Sequence, residues 1–383
     1  MTVGSAIKAE YKECVQLITT DRKLQSFMLC VFSILALVIY CGFNGLGFGP
    51  AASYYQLSEE FLSGNWDYDT YGMNLPPLVI PVLLIIKILS PDYDAFCVLL
   101  SLSGFAFYML GGHFLLKMCR ETGYPEKDAF LLLLLMFVCT LTALTTGIAT
   151  MSVSLVVISL WLYRRGRIFL SFAFLALATW TGFYPALLFI AIFFMRLRRR
   201  ELKVSSSGII MYVLMCIPLL LLIPHLHLSE MASYESCRTW ISDQAIETLA
   251  GSVGTGATLC LIFSICLRRE VSDARPLALI LLISVLMLSW FYPYNDDYWT
   301  VTIFMLYILS RMGSAPGPIR NGGYAVITIY GLAEFVTDFF IVENGLAYTA
   351  VSLISFVAVF LLVTFAITEY GDFSELYKKR IKE

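Results

Sequence analysis

A series of long apolar runs most constrains what this chain can fold into. A membrane-spanning helix needs about 20 mostly apolar residues, with a range of about 17 to 25. The runs are residues 27–43, 75–89, 95–116, 129–146, 147–163, 168–182, 184–195, 206–223, 256–267, 276–291, 299–311, 323–341 and 346–368. This pattern predicts an all-α fold, a polytopic transmembrane helical bundle of about 12 to 13 spans. The whole chain, 1–383, is predicted to form one integral-membrane domain.

The composition excludes several other classes of protein. Hydrophobic residues make up 59% of the chain and charged residues 14%, whereas a soluble domain carries about a quarter charged residues. The 26 Lys and Arg against 28 Asp and Glu leave no basic excess for a nucleic-acid partner. The ten cysteines lie mostly in apolar runs without CxxC pairs or metal-ligand spacing, so we expect neither a metal site nor a disulfide framework.

The basic residues divide the loops into two sides. Positively charged loops face the cytoplasm, and 25 of the 26 Lys and Arg can be placed there, Lys87 included, with both termini cytoplasmic. The membrane is predicted to be the cell membrane, or the endoplasmic reticulum membrane if the chain is eukaryotic. On the opposite, outer face there is one cation, Arg238. The loops of this face are 44–74, 224–255 and 292–298. Ten acids lie there: Glu59, Glu60, Asp67, Asp69, Glu230, Glu235, Asp243, Glu247, Asp296 and Asp297.

The segment 75–89 does not fit a simple alternation of sides. If both it and 95–116 crossed the membrane, the basic cluster 117–127 would lie outside, against the charge rule. The segment is short and begins with Pro76 and Pro77. We therefore expect it to dip into the membrane without crossing it, and thirteen spans with one local exception remain the alternative.

The first outer loop is the leading candidate for a binding site. It is long and aromatic, and four acids, Glu59, Glu60, Asp67 and Asp69, occur in it without a cation. Long loops between helices often carry function. Aromatic faces stack on sugars and carboxylates accept hydroxyl protons, so this composition suits a hydroxyl-rich ligand. A solvated linker that covers the bundle is the alternative.

Three further features combine charge with an outer position. The guanidinium group of Arg238 can bind a phosphate bidentately. The alternative is a surface ion pair with a neighbouring acid such as Glu235 or Asp243. The pair Asp296 and Asp297 forms either a solvated turn in an interfacial aromatic belt or part of a site. Finally, an i,i+4 pair of acids shares one face of the run 323–341, where acids are functional candidates. That last pair is Glu334 and Asp338.

Three stretches, taken in order, resemble the GT-C superfamily of integral-membrane glycosyltransferases. The first is YYQLSEEFLSGNWDYDTYGMNLPPL, residues 54–78, which begins with Tyr54 and Tyr55. The second, residues 146–200, contains an Arg-Arg-Gly-Arg turn and the Tyr184-Pro185 pair. The third is FYPYNDDYWTVTIF, residues 291–304. The set is most similar to mannosyltransferases that use polyprenol-phosphate mannose.

The resemblance implies a reaction and its participants. A polyprenyl- or dolichyl-phosphate sugar would be the donor, and a glycan or lipid acceptor would attack with inversion on the outer face. No nucleotide sugar or soluble cofactor is implied. A loop carboxylate would be the base, chosen from Glu59, Glu60, Asp67 and Asp69. The substrates would contact Tyr54, Tyr55, Tyr184, Arg238, Asp296, Asp297, Glu334 and Asp338.

The chain departs from the family pattern at three polar positions. The family's Asp before the Tyr-Tyr pair falls on Gly49 or Pro50, and its Lys before Tyr-Pro is Gly182. The Gln or Asn that opens the central hairpin is replaced within 148–150. Either a loop carboxylate replaces the missing base, or the chain is a non-catalytic relative, such as a transporter of lipid-linked sugars or an accessory subunit.

Overall fold

The fold is a bundle of α-helices, taken from a computed structural model of the chain. The structure describes residues 31, 34–35, 38, 51–64, 76–122, 126–139, 148–198, 200, 202–222, 256–260, 262, 274–291, 296–311, 318–340, 350–351, 353–355 and 357–365. Its helices are α1 Ala51–Leu62, α2 Val79–Leu89, α3 Tyr93–Thr122, α4 Glu126–Cys139, α5 Ile148–Arg164, α6 Ile168–Thr181, α7 Pro185–Arg198, α8 Leu202–Leu222, α9 Ala274–Phe291, α10 Asp296–Arg311 and α11 Pro318–Phe340. The described part of the chain confirms the predicted all-α fold.

Most helices begin and end close to the predicted apolar runs. The main difference is α1, which lies inside the segment 44–74 predicted as a loop. Its buried residues Ala51, Tyr54, Leu57 and Phe61 recur every three or four positions, which is the spacing of one helix face. The second difference is that α10 begins at Asp296, so the last three residues of the predicted loop 292–298 are helical.

The long helix α3 runs parallel to α5, and this pairing sets the direction of the bundle. Ser154 Oγ donates to the backbone carbonyl of Phe107 at 2.6 Å, and Thr150 Oγ1 donates to that of Gly104 at 3.1 Å. At the other end of the pair, Arg165 forms an ion pair with Glu121. The residue numbers rise together along both helices, so α3 and α5 point the same way.

The following helices alternate in direction. Ser159 of α5 and Ser171 of α6 each donate to the other's backbone carbonyl at 2.8 Å, which places the two helices side by side. Further along, Trp180 Nε1 donates to the carbonyl of Met215 in α8 at 2.9 Å. In α7, Arg196 donates to the Tyr163 hydroxyl at 2.8 Å, so α7 returns to the end where α5 finishes.

Helix α10 occupies the centre of the bundle. From Thr300 to Arg311, every side chain is at most 2% exposed. A helix that is apolar on all sides is stable only when it is surrounded by other elements, and α10 packs against α5, α9 and α11. The hydroxyls of Thr300 and Tyr330 lie 3.1 Å apart, and Gly323 lies against the side chains of Tyr307 and Arg311. Because the residue numbers run in opposite directions at these two contacts, α11 is antiparallel to α10 and its C-terminal half lies at the end where α10 begins.

Most of the described basic residues lie where α3, α5, α7 and α10 finish, and we call this the basic end. They are Lys117, Arg120, Arg164, Arg165, Arg167, Arg196, Arg200 and Arg311. The contacts of Arg165 with Glu121 and of Arg196 with Tyr163 confirm that three of the predicted basic clusters share one end.

At the opposite end, α1, α2 and the start of α3 form what we call the hairpin unit. The backbone N–H of Leu78 donates to the carbonyl of Trp180 at 3.0 Å, so α2 starts where α6 finishes. Because α3 passes α5 at Gly104, its first eleven residues project about 16 Å beyond that point, away from the basic end. The turn between α2 and α3 is therefore far from the basic end. The unit has a small core of its own, which includes Leu57, Leu83 and Phe96.

This geometry corrects the predicted position of Lys87. The sequence prediction that grouped it with the cytoplasmic basic clusters is wrong, because Lys87 lies near the tip of the hairpin unit and pairs with Glu59. The residues Asp92 and Asp94 share this tip.

Helix α2 is about 16 Å long, which is shorter than the roughly 30 Å hydrocarbon core of a bilayer.

One helix among the described residues is long and apolar enough to cross a membrane by length and composition. It is the stretch Tyr93–Glu121 of α3, with 29 residues and a mean hydropathy of 1.8. The apolar stretches of the other described helices are shorter, with 10 to 17 residues each, such as Ser205–Leu219 within α8.

The contact of α3 with α5 and α10 depends on a glycine, which yields a stability prediction. A Cβ at Gly111 would collide with Ser154 Oγ and lie 3.2 Å from Met305 Cε, and Ser154 is held by its bond to the Phe107 carbonyl. Overpacking of this kind costs about 1–3 kcal/mol. We expect Gly111→Ala to lower the free energy of unfolding by that amount in denaturant unfolding of the purified chain.

The neighbouring glycine is the matched control. A Cβ at Gly112 would meet only Leu133 Cδ1, at the ordinary distance of 3.7 Å. Since alanine is favoured over glycine inside a helix, Gly112→Ala should raise the free energy of unfolding by about 0.5–1 kcal/mol. Equal effects of the two substitutions would contradict the close packing of α3 on α5.

Candidate functional site

Two of the predicted site residues meet at an unpredicted lysine in the hairpin unit. Lys87 Nζ lies 2.9 Å from Glu59 Oε1 and 3.3 Å from the ring centroid of Tyr55. The lysine side chain is 13% exposed and the glutamate side chain 55%. A cation over an aromatic face gains more when it is shielded from water. We call Tyr55, Glu59 and Lys87 the Lys87 cluster.

The aromatic side of this cluster is built by α3. The ring of Tyr55 meets those of Tyr93 and Phe96 edge-on, with centroids 5.4 and 5.3 Å away. Edge-to-face contacts are a favoured arrangement for aromatic pairs. Because residues 55 and 59 are one turn apart on α1, their side chains share one helix face, and the lysine approaches both from α2.

The ion pair changes what Glu59 can do. The hydrogen bond from Lys87 holds the pKa of the Glu59 carboxyl below its usual value. A general base works best when its pKa lies near the operating pH. A lowered pKa therefore makes Glu59 a weaker base than an ordinary carboxylate, and its charge stabilises the lysine instead.

Glu60, the neighbouring acid, has a different environment. It is half-buried at the end of α1, where Gln56 Nε2 donates to its carboxylate at 3.4 Å, a long hydrogen bond. Of the four loop acids predicted as the base, Glu59 and Glu60 are therefore on one helix, with different partners. The other two, Asp67 and Asp69, lie outside the described residues, as does Arg238 with the loop 224–255.

The two other predicted tyrosines belong to packed regions. Tyr54 is 9% exposed and contributes to the core of the hairpin unit. Tyr184 is 4% exposed, and its hydroxyl lies near Ser152 of α5 and Thr302 of α10. These positions are inside the protein, so contact of either tyrosine with a substrate would need a movement of the helices around it.

The predicted acids of α10 and α11 lie at the same end of the bundle as the hairpin unit. Asp296 and Asp297 form the first turn of α10, where the positive end of the helix dipole favours acids. Glu334 and Asp338 lie toward the C-terminal end of α11, which is antiparallel to α10. The structure thus places all six described acids of the predicted site at the end away from the basic residues.

Sequence reasoning missed the helix α1 and the position of Lys87. The three- to four-residue spacing of Ala51, Tyr54, Leu57 and Phe61 was a readable signal for the helix. For Lys87 the sequence held no such signal, because a lysine near the end of an apolar helix suits either side of a bundle.

No protein-family model, no curated protein and no solved structure matches this chain.

The ion pair predicts a pH dependence of stability. A glutamate whose pKa is lowered by folding stabilises the protein above its unfolded pKa of about 4.3, and this contribution is lost as the pH falls through the lowered folded value. We expect Glu59→Gln to lower the thermal unfolding midpoint at neutral pH, and its difference from wild type to shrink as the pH falls below about 4.3.

Thermal unfolding across that pH range measures the effect, with Glu60→Gln as the matched control on the same helix. This control removes a neighbouring carboxylate and leaves the ion pair between Lys87 and Glu59 in place. A wild-type minus Glu59→Gln difference that stays constant with pH would contradict the ion pair.

Proposed function

We propose that this chain is a multi-pass membrane glycosyltransferase of the GT-C type. It transfers a hexose, with mannose as the first choice, from a polyprenyl- or dolichyl-phosphate sugar. The acceptor is a lipid-linked or free glycan on the outer or lumenal face of the membrane, and the configuration at the sugar inverts. Both termini are cytoplasmic in this proposal.

The observation that carries this proposal is the separation of charge along the bundle. The described residues place eight basic side chains and Glu121 at the basic end, whereas Glu59, Glu60, Asp92 and Asp94 lie in the hairpin unit with Lys87. An excess of Lys and Arg on the cytoplasmic face is the arrangement expected of a multi-pass membrane protein. The aromatic and acidic face of the hairpin unit then faces the compartment where lipid-phosphate sugars are used.

The chemistry of the transfer assigns a role to each group. The acceptor hydroxyl oxygen attacks the anomeric carbon, the bond from that carbon to the phosphate oxygen breaks, and a carboxylate takes the hydroxyl proton. Since Glu59 is engaged by Lys87, we assign the base to Glu60, Asp67 or Asp69. The cations Lys87 and Arg238 stabilise the departing lipid phosphate, which gains negative charge.

The direct test uses the purified chain in liposomes with radiolabelled polyprenyl-phosphate mannose or glucose and a lipid-linked acceptor. Loss of a general base lowers the rate by about 10²- to 10⁴-fold. We expect that loss for the triple variant Glu60→Gln, Asp67→Asn, Asp69→Asn, and a smaller loss for Glu59→Gln. Transfer that survives replacement of all four acids by amides would overturn the base assignment.

The second candidate is a binding or accessory protein for lipid-linked sugars, without catalysis. Two observations favour it: Glu59 is already paired with Lys87, and Tyr184 is buried among Ser152 and Thr302. The test is binding of polyprenyl phosphate to the wild-type chain. Binding without sugar transfer, with each of the donors and acceptors tried, would favour this candidate over the enzyme.

The proposed membrane topology is tested by labelling introduced cysteines in intact cells. Ala52 is exposed on α1 and Arg167 is exposed at the basic end. We expect a membrane-impermeant maleimide to add label to Ala52→Cys in intact cells, and to Arg167→Cys only after permeabilisation. Wild type measures the background from the native cysteines. Labelling of both variants from the same side would contradict the multi-pass arrangement.

A further inference from the structure

An aromatic ring lies between two cations at the basic end, where α3 and α5 finish. The Nζ of Lys117 is 4.5 Å from the ring centroid of Trp161, and the guanidinium carbon of Arg165 is 5.4 Å from it. Phe114 packs against the same indole, with ring centroids 4.9 Å apart. Such rings attract cations through their faces and hold them near one another.

Among the described residues, one carboxylate, that of Glu121, contacts this group of side chains. Glu121 accepts hydrogen bonds from Arg165 Nη2 and, at 3.5 Å, from Trp161 Nε1. The contacts of the Lys117 ammonium within the described ranges are with the rings of Phe114 and Trp161. An ammonium has three N–H donors and a ring face uses none of them in an ordinary hydrogen bond, so Lys117 keeps donors for an anion.

The outward face of α3 changes from apolar to basic toward this cluster. Leu102, Met109 and Leu110 are 40%, 36% and 40% exposed on this face. Further along the same face come His113 and then Lys117, at the helical spacing of three to four residues. The step from Leu110 to Lys117 is about 10 Å along the helix axis.

This order of side chains fits an amphiphile better than a soluble anion. A hydrocarbon chain can lie along the exposed apolar part of α3, and its headgroup then reaches the level of Lys117 and Trp161. Tryptophan is enriched at the level of lipid headgroups, and basic pockets between helices on the cytoplasmic side bind anionic headgroups. A free phosphate ion would make no use of the apolar stripe.

We propose that Lys117, Trp161 and Arg165 form a binding site for the headgroup phosphate of an anionic phospholipid, whose acyl chain lies along α3. Glu121 competes with the phosphate for Arg165. The site lies at the opposite end of the bundle from the Lys87 cluster, so it does not depend on the proposed transfer reaction.

The test is titration of the delipidated full chain in detergent with phosphatidylglycerol, followed by native mass spectrometry. A charge near a lipid surface contributes enough to change affinity about fivefold. We expect Lys117→Gln to weaken phosphatidylglycerol binding about fivefold and Glu121→Gln to strengthen it about fivefold. Phosphatidylcholine binding should change less than about twofold in either variant.

Arg200→Gln is the matched control, because it removes one exposed positive charge from the turn between α7 and α8. It should change phosphatidylglycerol binding less than about twofold. Opposite signs for Lys117→Gln and Glu121→Gln support the site, since loss of a purely structural contact would weaken binding in both. The site would be overturned if the two substitutions changed phosphatidylglycerol binding with the same sign, or if one or both left it unchanged. Displacement of phosphatidylglycerol by inorganic phosphate at equal concentration would also overturn it.

Discussion

The parallel contact of α3 with α5 is the constraint on which the rest of the structure depends. Close approach at Gly111 allows Ser154 to reach the carbonyl of Phe107, and the Glu121 to Arg165 ion pair closes the same contact at its far end. Since α3 has 30 residues and α5 has 17, the longer helix must extend beyond its partner. That excess length is the part of α3 on which α1 and α2 pack, so the hairpin unit exists because the two helices differ in length.

The length of α3 also separates the two charged regions. Tyr93 and Glu121 are about 42 Å apart along the helix axis, several times the Debye length of about 8 Å at physiological salt. Exposed charges at one end therefore have little influence on the pKa values or ligands of the other. The Lys87 cluster and the cations around Trp161 are electrostatically independent, and each is organised in the same way: an aromatic ring holds a cation beside one carboxylate.

The candidate site shows which parts of a site can be read from residue types. Glu59 was predicted because acids in an aromatic, polar segment suit a sugar, and Tyr55 because of the resemblance to GT-C glycosyltransferases; the structure brings both to Lys87. Tyr54 and Tyr184 were predicted by the same resemblance, but they pack inside the protein. Adjacent residues on a helix point about 100° apart, so Tyr54 and Tyr55 cannot both face the same ligand once α1 forms.

The sequence by itself determined the helices and the placement of most charges, because both depend on local patterns. An apolar run of more than about 12 residues favours a helix over a strand, and basic clusters at run ends mark one end of the bundle, as Arg165 and Arg196 do. Only the tertiary structure decided the partner of Lys87. An apolar helix with one lysine near its end can place that lysine at either end of the bundle. The direction of α2 follows from the projecting start of α3 and from the backbone hydrogen bond of Leu78 to Trp180. Those contacts join residues far apart in the chain, and no local pattern contains them.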